Sequence, residues 1–250
     1  MATNLACVGL DVKTRSGFRE LVHGVLPEAK VIAEERDATL YVWTDATGAR
    51  LIITTEGDLV RAVTTSYAGP LGARLADVRA ADGGLAIAEI VDADDGILAG
   101  VACELEELQL LGDAEDVPAA DACIVGLGRS VEVFDGSEEF LASDASRMTF
   151  AGEDAADEAG EPMRFEPESF SPDGAFTMQV DAVARVNGTV LDVTRHQVER
   201  TGQAFTAAQV RTGGFEVTLC VPTGEPDLAP GQVVAANTYL VASVPSLLVG

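Results

Sequence analysis

Lysine is nearly absent from this chain of 250 residues: only Lys13 and Lys30 occur, beside fourteen arginines. Lysine and arginine together number 16 against 41 aspartates and glutamates, a formal net charge of −25. A surface so poor in cations repels phosphate, which disfavours nucleic-acid binding. The same composition is typical of a GC-rich genome or of a salt-adapted proteome, and the sequence leaves both origins open.

Aromatic residues are also scarce, at 5% of a chain that is 47% hydrophobic. The core is therefore expected to consist mainly of Ala, Val and Leu. Four cysteines stand far apart in apolar stretches without a CxxC spacing, which predicts buried, reduced thiols. His23 and His196 are the only histidines, and neither belongs to an HxH or HxxxH spacing. We therefore expect no metal site and no cofactor.

No stretch approaches the roughly eighteen unbroken apolar residues that a membrane helix needs. Leu5-Ala6-Cys7 is similar to a lipoprotein cleavage site, but no basic and apolar regions precede it as a signal requires. The sequence thus predicts a cytoplasmic protein without membrane association.

The acidic charge is unevenly distributed. Residues 175–250 contain six acids and four arginines, a net charge of −2, which leaves −23 to residues 1–174. Such a difference in composition is typical of two domains. Eight acids and one arginine fall within residues 151–173, a run that buries too little apolar surface to order itself. The sequence predicts an acidic domain over 1–150, an acidic linker over 151–174 and a second domain over 175–250.

The first domain is predicted to be an α+β domain, a β-meander with short helices. A strand is expected over residues 5–12 and a helix over 16–26, where apolar residues recur at helical spacing. Short β-branched runs between turn signals then predict further strands. These cover residues 31–35, 39–44, 50–55, 59–66, 74–79, 85–91 and 97–105.

Residues 6–10 and 122–127 are similar to each other, and each run precedes a phenylalanine and a leucine. An internal duplication of a strand, a helix and a meander would explain this echo, and so would chance. A duplicated metal-chelating fold of the glyoxalase type has a similar order of elements. No predicted strand, however, places a histidine where that fold takes its ligands.

Residues 175–250 show the pattern of a small Greek-key barrel. Apolar residues alternate over 176–186 and change parity past Gly188, which predicts a strand bent by a bulge. Residues 204–212 and 215–221 flank Gly213-Gly214, a hairpin signal, and 233–244 predict a long closing strand. A bent strand, a hairpin and a closing strand describe an OB-like barrel.

Three motifs carry a resemblance over the last third of the chain: PESFSPDGAF at 167–176, TGQAF at 201–205 and RTGGFEV at 211–217. They resemble the C-terminal part of an actinobacterial-type family of bacterial proteins with no assigned function. They also resemble OB-fold domains generally, in which a TGxxF element opens the second strand. The resemblance implies an OB-like barrel and implies no reaction or ligand.

Motifs of catalysis are lacking. The chain has no GxSxG, and Val131 stands where the third glycine of a dinucleotide loop beginning at Gly126 would belong. Asp92–Gly96 is similar to a calcium loop, but Ala102 occupies the position of the bidentate glutamate. No catalytic residue is therefore predicted.

The sequence favours a non-catalytic binding or assembly protein, with a protein partner or a small ligand. The candidate ligand-binding residues are the aromatic and cationic side chains of the barrel: Phe205, Arg211, Phe215 and Tyr239. Two alternatives stay open, an enzyme whose pocket shows no sequence motif and single-stranded nucleic-acid binding by the barrel. The sequence also leaves a homo-oligomer open.

Overall fold

Strands dominate the molecule, as the β-branched runs predict. The computed structural model describes residues 3–35, 38–111, 118–150, 153–156, 160, 162–172, 180–224 and 226–249. Within these ranges the chain is mostly β, with a four-stranded sheet, a larger nine-stranded sheet and few, short helices. No helix in the described ranges is long and apolar enough to cross a membrane.

The first helix and the four-stranded sheet form one layer of the molecule. Helix α1 spans Arg15–Val25, and Thr14 caps it because its Oγ1 accepts a hydrogen bond from the Gly17 N–H at 3.0 Å. An antiparallel meander follows. Its strands are β1 (Lys30–Glu35), β2 (Ala38–Thr44), β3 (Ala49–Glu56) and β4 (Leu59–Tyr67).

The strand predicted over residues 5–12 is wrong. Ala6–Val8 form a 3-10 helix, and Gly9 follows with a left-handed φ of 69° while its N–H bonds the Ala6 carbonyl. An apolar run this short fits either a strand or a helical turn by hydrophobicity alone. Residues 122–127 lie in a strand, so the two halves of the echo differ in structure, and the duplication inferred from it is not confirmed.

The remaining elements build the larger sheet and its connections. The strands are β5 (Ala73–Ala81), β6 (Leu85–Val91), β7 (Ile97–Leu105), β8 (Ala120–Phe134), β9 (Thr149–Phe150), β10 (Glu153–Asp154), β11 (Ser169–Pro172), β12 (Val183–Gln197), β13 (Ala204–Thr212), β14 (Phe215–Pro222) and β15 (Val233–Ser243). Helix α2 spans Ser137–Ala142, and further 3-10 helices span Leu26–Glu28, Asp82–Gly84, Leu108–Leu110, Asp144–Ser146 and Pro245–Val249.

Strand pairings in the larger sheet close two rings. In the first ring, the pairs run β5–β6–β7–β15–β8 and back to β5. In the second ring, they run β12–β13–β14–β8–β15 and back to β12. The pairs β7–β15 and β14–β8 are parallel, and all the others are antiparallel. The antiparallel pair β8–β15 therefore belongs to both rings.

The pairings of the shared strand β8 span the predicted domain boundary. It falls within residues 1–150, yet it pairs with β14 and β15 of residues 175–250. Strand β11, within the predicted linker, also pairs with β12. Residues 122–128 are all buried, because other elements cover both faces of a strand that serves two rings. One hydrogen-bonded sheet thus extends over both predicted domains.

Each ring has its own apolar cluster. All five strands of the first ring contribute to one cluster, for example through Leu75, Ile124 and Leu240. All five strands of the second ring contribute to another, for example through Val186 and Leu219. A further cluster joins α1 and the four-stranded sheet to the outer face of β8, β13 and β14. The aliphatic composition predicted this kind of interior.

The parity change and the bulge predicted past Gly188 are present, but they lie just after Val190 and not at the glycine: beyond Val190, Leu191 is half-buried and Asp192 is exposed. Ala184, Val186 and Val190 are all buried, so one parity continues past the glycine. The register shifts later, between Val190 and Asp192 on the β13 side. Gly188 instead permits a close approach, because a Cβ there would lie 2.4 Å from the Arg211 carbonyl oxygen. The predicted residues 176–179 of this strand lie outside the described residues.

Candidate functional site

The four residues predicted to bind a ligand lie in three different places. Phe205, on β13, is 1% exposed and packs between Tyr67, with ring centroids 5.9 Å apart, and His196, at 4.9 Å. Burial lowers the pKa of His196 and raises that of Tyr67. Phe205 is therefore part of the core that joins β4 to the second ring, with its face covered.

Tyr239 lies on β15, on another side of the molecule. Its hydroxyl donates a hydrogen bond to Glu104 Oε1 at 2.8 Å, and the Arg129 guanidinium lies 5.1 Å from its ring centroid. Burial, together with the charge of Glu104, raises the pKa of Tyr239. This side chain already has a hydrogen-bond partner and a cation over its ring.

Arg211 and Phe215 do come together, at one cleft. The hairpin of β13 and β14 turns at Gly213-Gly214 as predicted, and its register places Arg211 opposite Glu216. Arg211 binds Glu168 in a bidentate way, with Nη2 to Oε1 at 2.8 Å and Nε to Oε2 at 3.1 Å. This ion pair lowers the pKa of Glu168 and raises that of Arg211.

Phe215 forms an apolar part of the same cleft wall. It is 5% exposed, and its ring meets the Phe170 ring edge to face, with centroids 5.3 Å apart. Because Glu168 and Phe170 belong to the segment at the end of the predicted linker, that segment lies directly on the hairpin. Phe215 is therefore largely a packing residue that borders the cleft.

The cleft, called here the inter-ring cleft, has a volume of about 510 Å³. Strands β5 and β6 of the first ring line one side, and β13 and β14 of the second ring line the other. Its lining consists of Leu71, Gly72, Ala73, Arg74, Val91, Asp92, Ala93, Asp121, Glu168, Arg211, Gly214, Phe215 and Glu216.

Gly72 fastens the two sides of the cleft. Its carbonyl oxygen accepts a hydrogen bond from the Glu216 N–H at 2.8 Å, which ties the segment before β5 to β14. A Cβ on residue 72 would lie 2.8 Å from the Glu216 carbonyl oxygen, so the approach requires a glycine. The geometry of the cleft thus depends on a backbone contact between the two rings.

Charge in the inter-ring cleft is predominantly negative. Four carboxylates line it, those of Asp92, Asp121, Glu168 and Glu216, together with two arginines. Both arginines already have acidic partners, since Arg74 Nη2 lies 3.1 Å from Asp95 Oδ1 and Arg211 is bound to Glu168.

Several polar groups of the cleft form hydrogen bonds within the protein, whereas the Nε of Arg74 has none among the described residues. Asp92 Oδ1 accepts the backbone N–H groups of Asp94 and Gly96, each at 2.8 Å, which makes the predicted turn. Arg74 Nε is buried and has no hydrogen-bond partner among the described residues. The carboxylate oxygens not engaged in such contacts leave acceptor capacity for a ligand.

Sequence reasoning missed the acidic side of this cleft. Asp121 and Arg74 come from β8 and β5, and only the pairing of these two strands brings them together. Glu168 and Glu216 fall within the quoted motifs, but the resemblance to OB-fold domains rests on the apolar and glycine residues of those motifs. The pair Arg211–Glu216 could have been found, because a two-residue hairpin turn fixes which residues face each other.

Comparison of the chain with protein-family models, with curated proteins and with solved structures returned no match. Among the described residues, no three His, Cys, Asp or Glu side chains are grouped so as to hold a metal ion.

Proposed function

We propose that this chain is a non-catalytic binding protein, and that its inter-ring cleft holds a basic segment of a protein partner. The observation that carries this proposal is the excess of carboxylates in the cleft, where both arginines are already paired. A chain with a net charge of −25 also attracts a basic partner from a distance and accelerates its association. The side chain of Leu71, which is 53% exposed, offers apolar contact area beside the carboxylates.

We also propose that both rings are OB-like barrels. In an OB barrel, strands numbered along the chain pair in the order 1-2-3-5-4-1, with strands 3 and 5 parallel. The first ring has this order with β5, β6, β7, β8 and β15 as strands 1 to 5. The second ring has the same spatial order with β12–β15 in places 1 to 4 and β8 in place 5, although β8 precedes these strands along the chain.

This strand order supports a duplication different from the one that the sequence echo suggested. Strand β8 is the fourth strand of the first ring and the fifth of the second, while β15 has the opposite roles. The arrangement fits two copies of a four-stranded unit, β5–β8 and β12–β15, in which the last strand of each copy completes its own ring and also supplies the fifth strand of the other ring. A crystal structure with two open sheets in place of two rings would contradict this duplication.

The enzyme alternative has less support. An active site usually brings together groups whose pKa values are strongly shifted in a cavity. The carboxyl group with a raised pKa, that of Glu107, is buried and does not line the inter-ring cleft. Binding without chemistry is the simpler use of this surface.

Single-stranded nucleic-acid binding has less support too. Such a site needs free cations and exposed aromatic faces. Arg195 pairs with Asp227, Arg200 with Glu28 and Arg211 with Glu168, so these cations are already neutralised. Phe205 and Phe215 are buried among other aromatic rings. The charges and the aromatic residues of the second ring therefore favour a partner other than a phosphate backbone.

A cytoplasmic location is part of the proposal. Cys7, Cys103, Cys123 and Cys220 are all buried free thiols, as the sequence predicted from their apolar surroundings. Buried cysteines without disulfides suit a reducing compartment.

Peptide binding tests the proposed function. An alternating arginine-leucine octapeptide should bind the intact chain at low salt, and a glutamate-leucine octapeptide of the same length should not, as measured by titration calorimetry. The variant D121N/E216Q should weaken binding of the basic peptide at least tenfold, because it removes two of the four cleft carboxylates.

The control variant D77N/E56Q removes two exposed carboxylates away from the cleft and changes the net charge equally. It should leave most of the affinity in place. Equal losses of peptide affinity in the two variants would show that only the overall charge matters, and this result would overturn the assignment to the cleft. Equal binding of the acidic and the basic peptide would do so as well.

A further inference from the structure

A second cleft lies between α1 and the turn that joins β3 to β4; it is called here the helix cleft. Its volume of about 440 Å³ lies within the range of small-molecule sites, roughly 300–1,000 Å³. It shares no residue with the inter-ring cleft. The helix contributes Arg15, Phe18, Arg19, Val22 and His23, the turn contributes Asp58, and the start of β4 contributes Leu59 and Val60.

The interior of the helix cleft is apolar. Val22 is buried, and Phe18 and Val60 are half-buried against the core cluster beneath the helix. Leu59 stands on the opposite side with 60% of its surface exposed. An exposed leucine facing an apolar floor gives a ligand apolar surface to cover.

Basic side chains stand in a row along the edge of this cleft. Arg15, Arg19 and His23 are spaced four residues apart on α1, so they lie on one face of the helix. Neighbouring like charges at this spacing destabilise a helix, and Arg15 stands at the helix start, where the macrodipole also disfavours a positive charge. The row therefore works against the stability of α1.

These two arginines have no ion-pair partner among the described residues. Among the described residues, neither Arg15 nor Arg19 has a carboxylate oxygen within 4.0 Å. Exposed arginines elsewhere, such as Arg61 and Arg79, are paired with a carboxylate. In a protein with 41 acids, two adjacent free guanidinium groups beside an apolar cleft indicate a site for an anion with an apolar body.

We propose that the helix cleft binds a small amphiphile with one anionic head group, of the monocarboxylate class. The apolar tail would lie on Phe18, Val22 and Leu59, and the carboxylate would accept hydrogen bonds from Arg15 and Arg19. Asp58 faces the same cleft and offsets one of the two arginine charges. The remaining single positive charge suits a monoanion better than a polyanion.

Titration of the full chain with decanoate, below the concentration at which it forms micelles, tests the proposal. Decan-1-ol and decyltrimethylammonium serve as probes with the same tail and a neutral or cationic head. We expect decanoate to bind at least tenfold more tightly than decanol, and the cationic probe to bind more weakly still. Equal affinities for decanoate and decanol would overturn the proposal.

Variants locate the site. R15Q/R19Q should weaken decanoate binding at least tenfold and leave decanol unaffected, while R61Q/R79Q, which removes two arginines elsewhere, should change neither. Circular dichroism and the Tm of both variants check that α1 is intact. If R15Q/R19Q lowers the Tm, the single variant L59S on the opposite wall should weaken both probes. Unchanged decanoate affinity in R15Q/R19Q and in L59S would place binding elsewhere and overturn the proposal.

Discussion

Arg50 on β3 and Glu106, which follows β7, form an ion pair with Nη1 2.7 Å from Oε2. The Glu106 side chain is 3% exposed and that of Arg50 is 23% exposed. The pair therefore links the four-stranded sheet to the first ring through a largely buried interaction. Arg50 Nε and Glu106 Oε1 have no hydrogen-bond partner among the described residues, so the desolvation of both groups is only partly compensated.

Removing one member of this pair should cost more stability than removing both. We expect Arg50→Met to lower the free energy of unfolding by about 3–5 kcal/mol, because it leaves a buried carboxylate without its cation. The double variant R50M/E106L should recover most of that loss. Urea unfolding of the three proteins measures both effects, and a double variant less stable than Arg50→Met would contradict this account.

Glu107 should make stability depend on pH. Its carboxylate accepts hydrogen bonds from Ser243 Oγ at 2.6 Å and from the Val244 N–H at 3.0 Å, but burial dominates and raises its pKa. Above the ordinary carboxyl pKa of about 4.3, the folded protein thus keeps a proton that the unfolded chain has lost. The stability contributed by Glu107 is full below that pH and falls as the pH rises through the raised pKa.

The variant Glu107→Gln checks this sign. The amide carries no titrating proton, so the unfolding free energy of the variant should improve relative to the native protein as the pH rises. Urea unfolding at several pH values gives the difference, and Glu56→Gln, at an exposed position, is the control. A difference for Glu107→Gln that stays constant with pH would show that the carboxyl group titrates normally.

Gly188→Ala should destabilise the second ring. The added Cβ would lie 2.4 Å from the Arg211 carbonyl oxygen and 2.4 Å from Val210 Cγ1, so β13 would have to move. Overpacking of this kind costs about 1–3 kcal/mol. Gly136→Ala is the matched control, because no atom lies within 4 Å of a Cβ at that position. Similar unfolding midpoints for the two variants would contradict the close approach at Gly188.

The thiols should resist modification in the folded protein. All four cysteines are buried, and burial raises the pKa of Cys123 to about 11 and that of Cys103 to about 12. A thiolate-specific reagent such as Ellman's reagent should therefore react slowly in native buffer and with all four thiols in denaturant. Rapid reaction of even one thiol in native buffer would show an exposed cysteine.

Local features of the fold followed from the sequence, and long-range ones did not. The apolar spacing predicted α1 to within one residue at either end. The glycine pair at 213 and 214 predicted the hairpin. In each case the determining interactions lie within a few residues of one another, where spacing and turn chemistry decide.

The rings themselves depend on partners that spacing does not reveal. Strand β8 pairs with β15 across about a hundred residues of sequence. The residues near β8 in the sequence do not indicate which of the other apolar strands will pair with it. Its run of buried residues from Ala122 to Leu127 did carry a signal, because a strand apolar on both faces belongs in the middle of an assembly. The acidic cleft could not be predicted from the sequence either, because its two sides come from different rings and meet only when the rings close.

The sharing of β8 and β15 by two rings has a consequence for biosynthesis. Strand β15 is the last strand along the chain in both rings, and it ends at Ser243. While the ribosome is still at work, β5–β8 and β12–β14 carry unpaired edges, which are sites of aggregation. Neither ring can close until β15 has been synthesised, so until then folding depends on protection of those edges in the nascent chain.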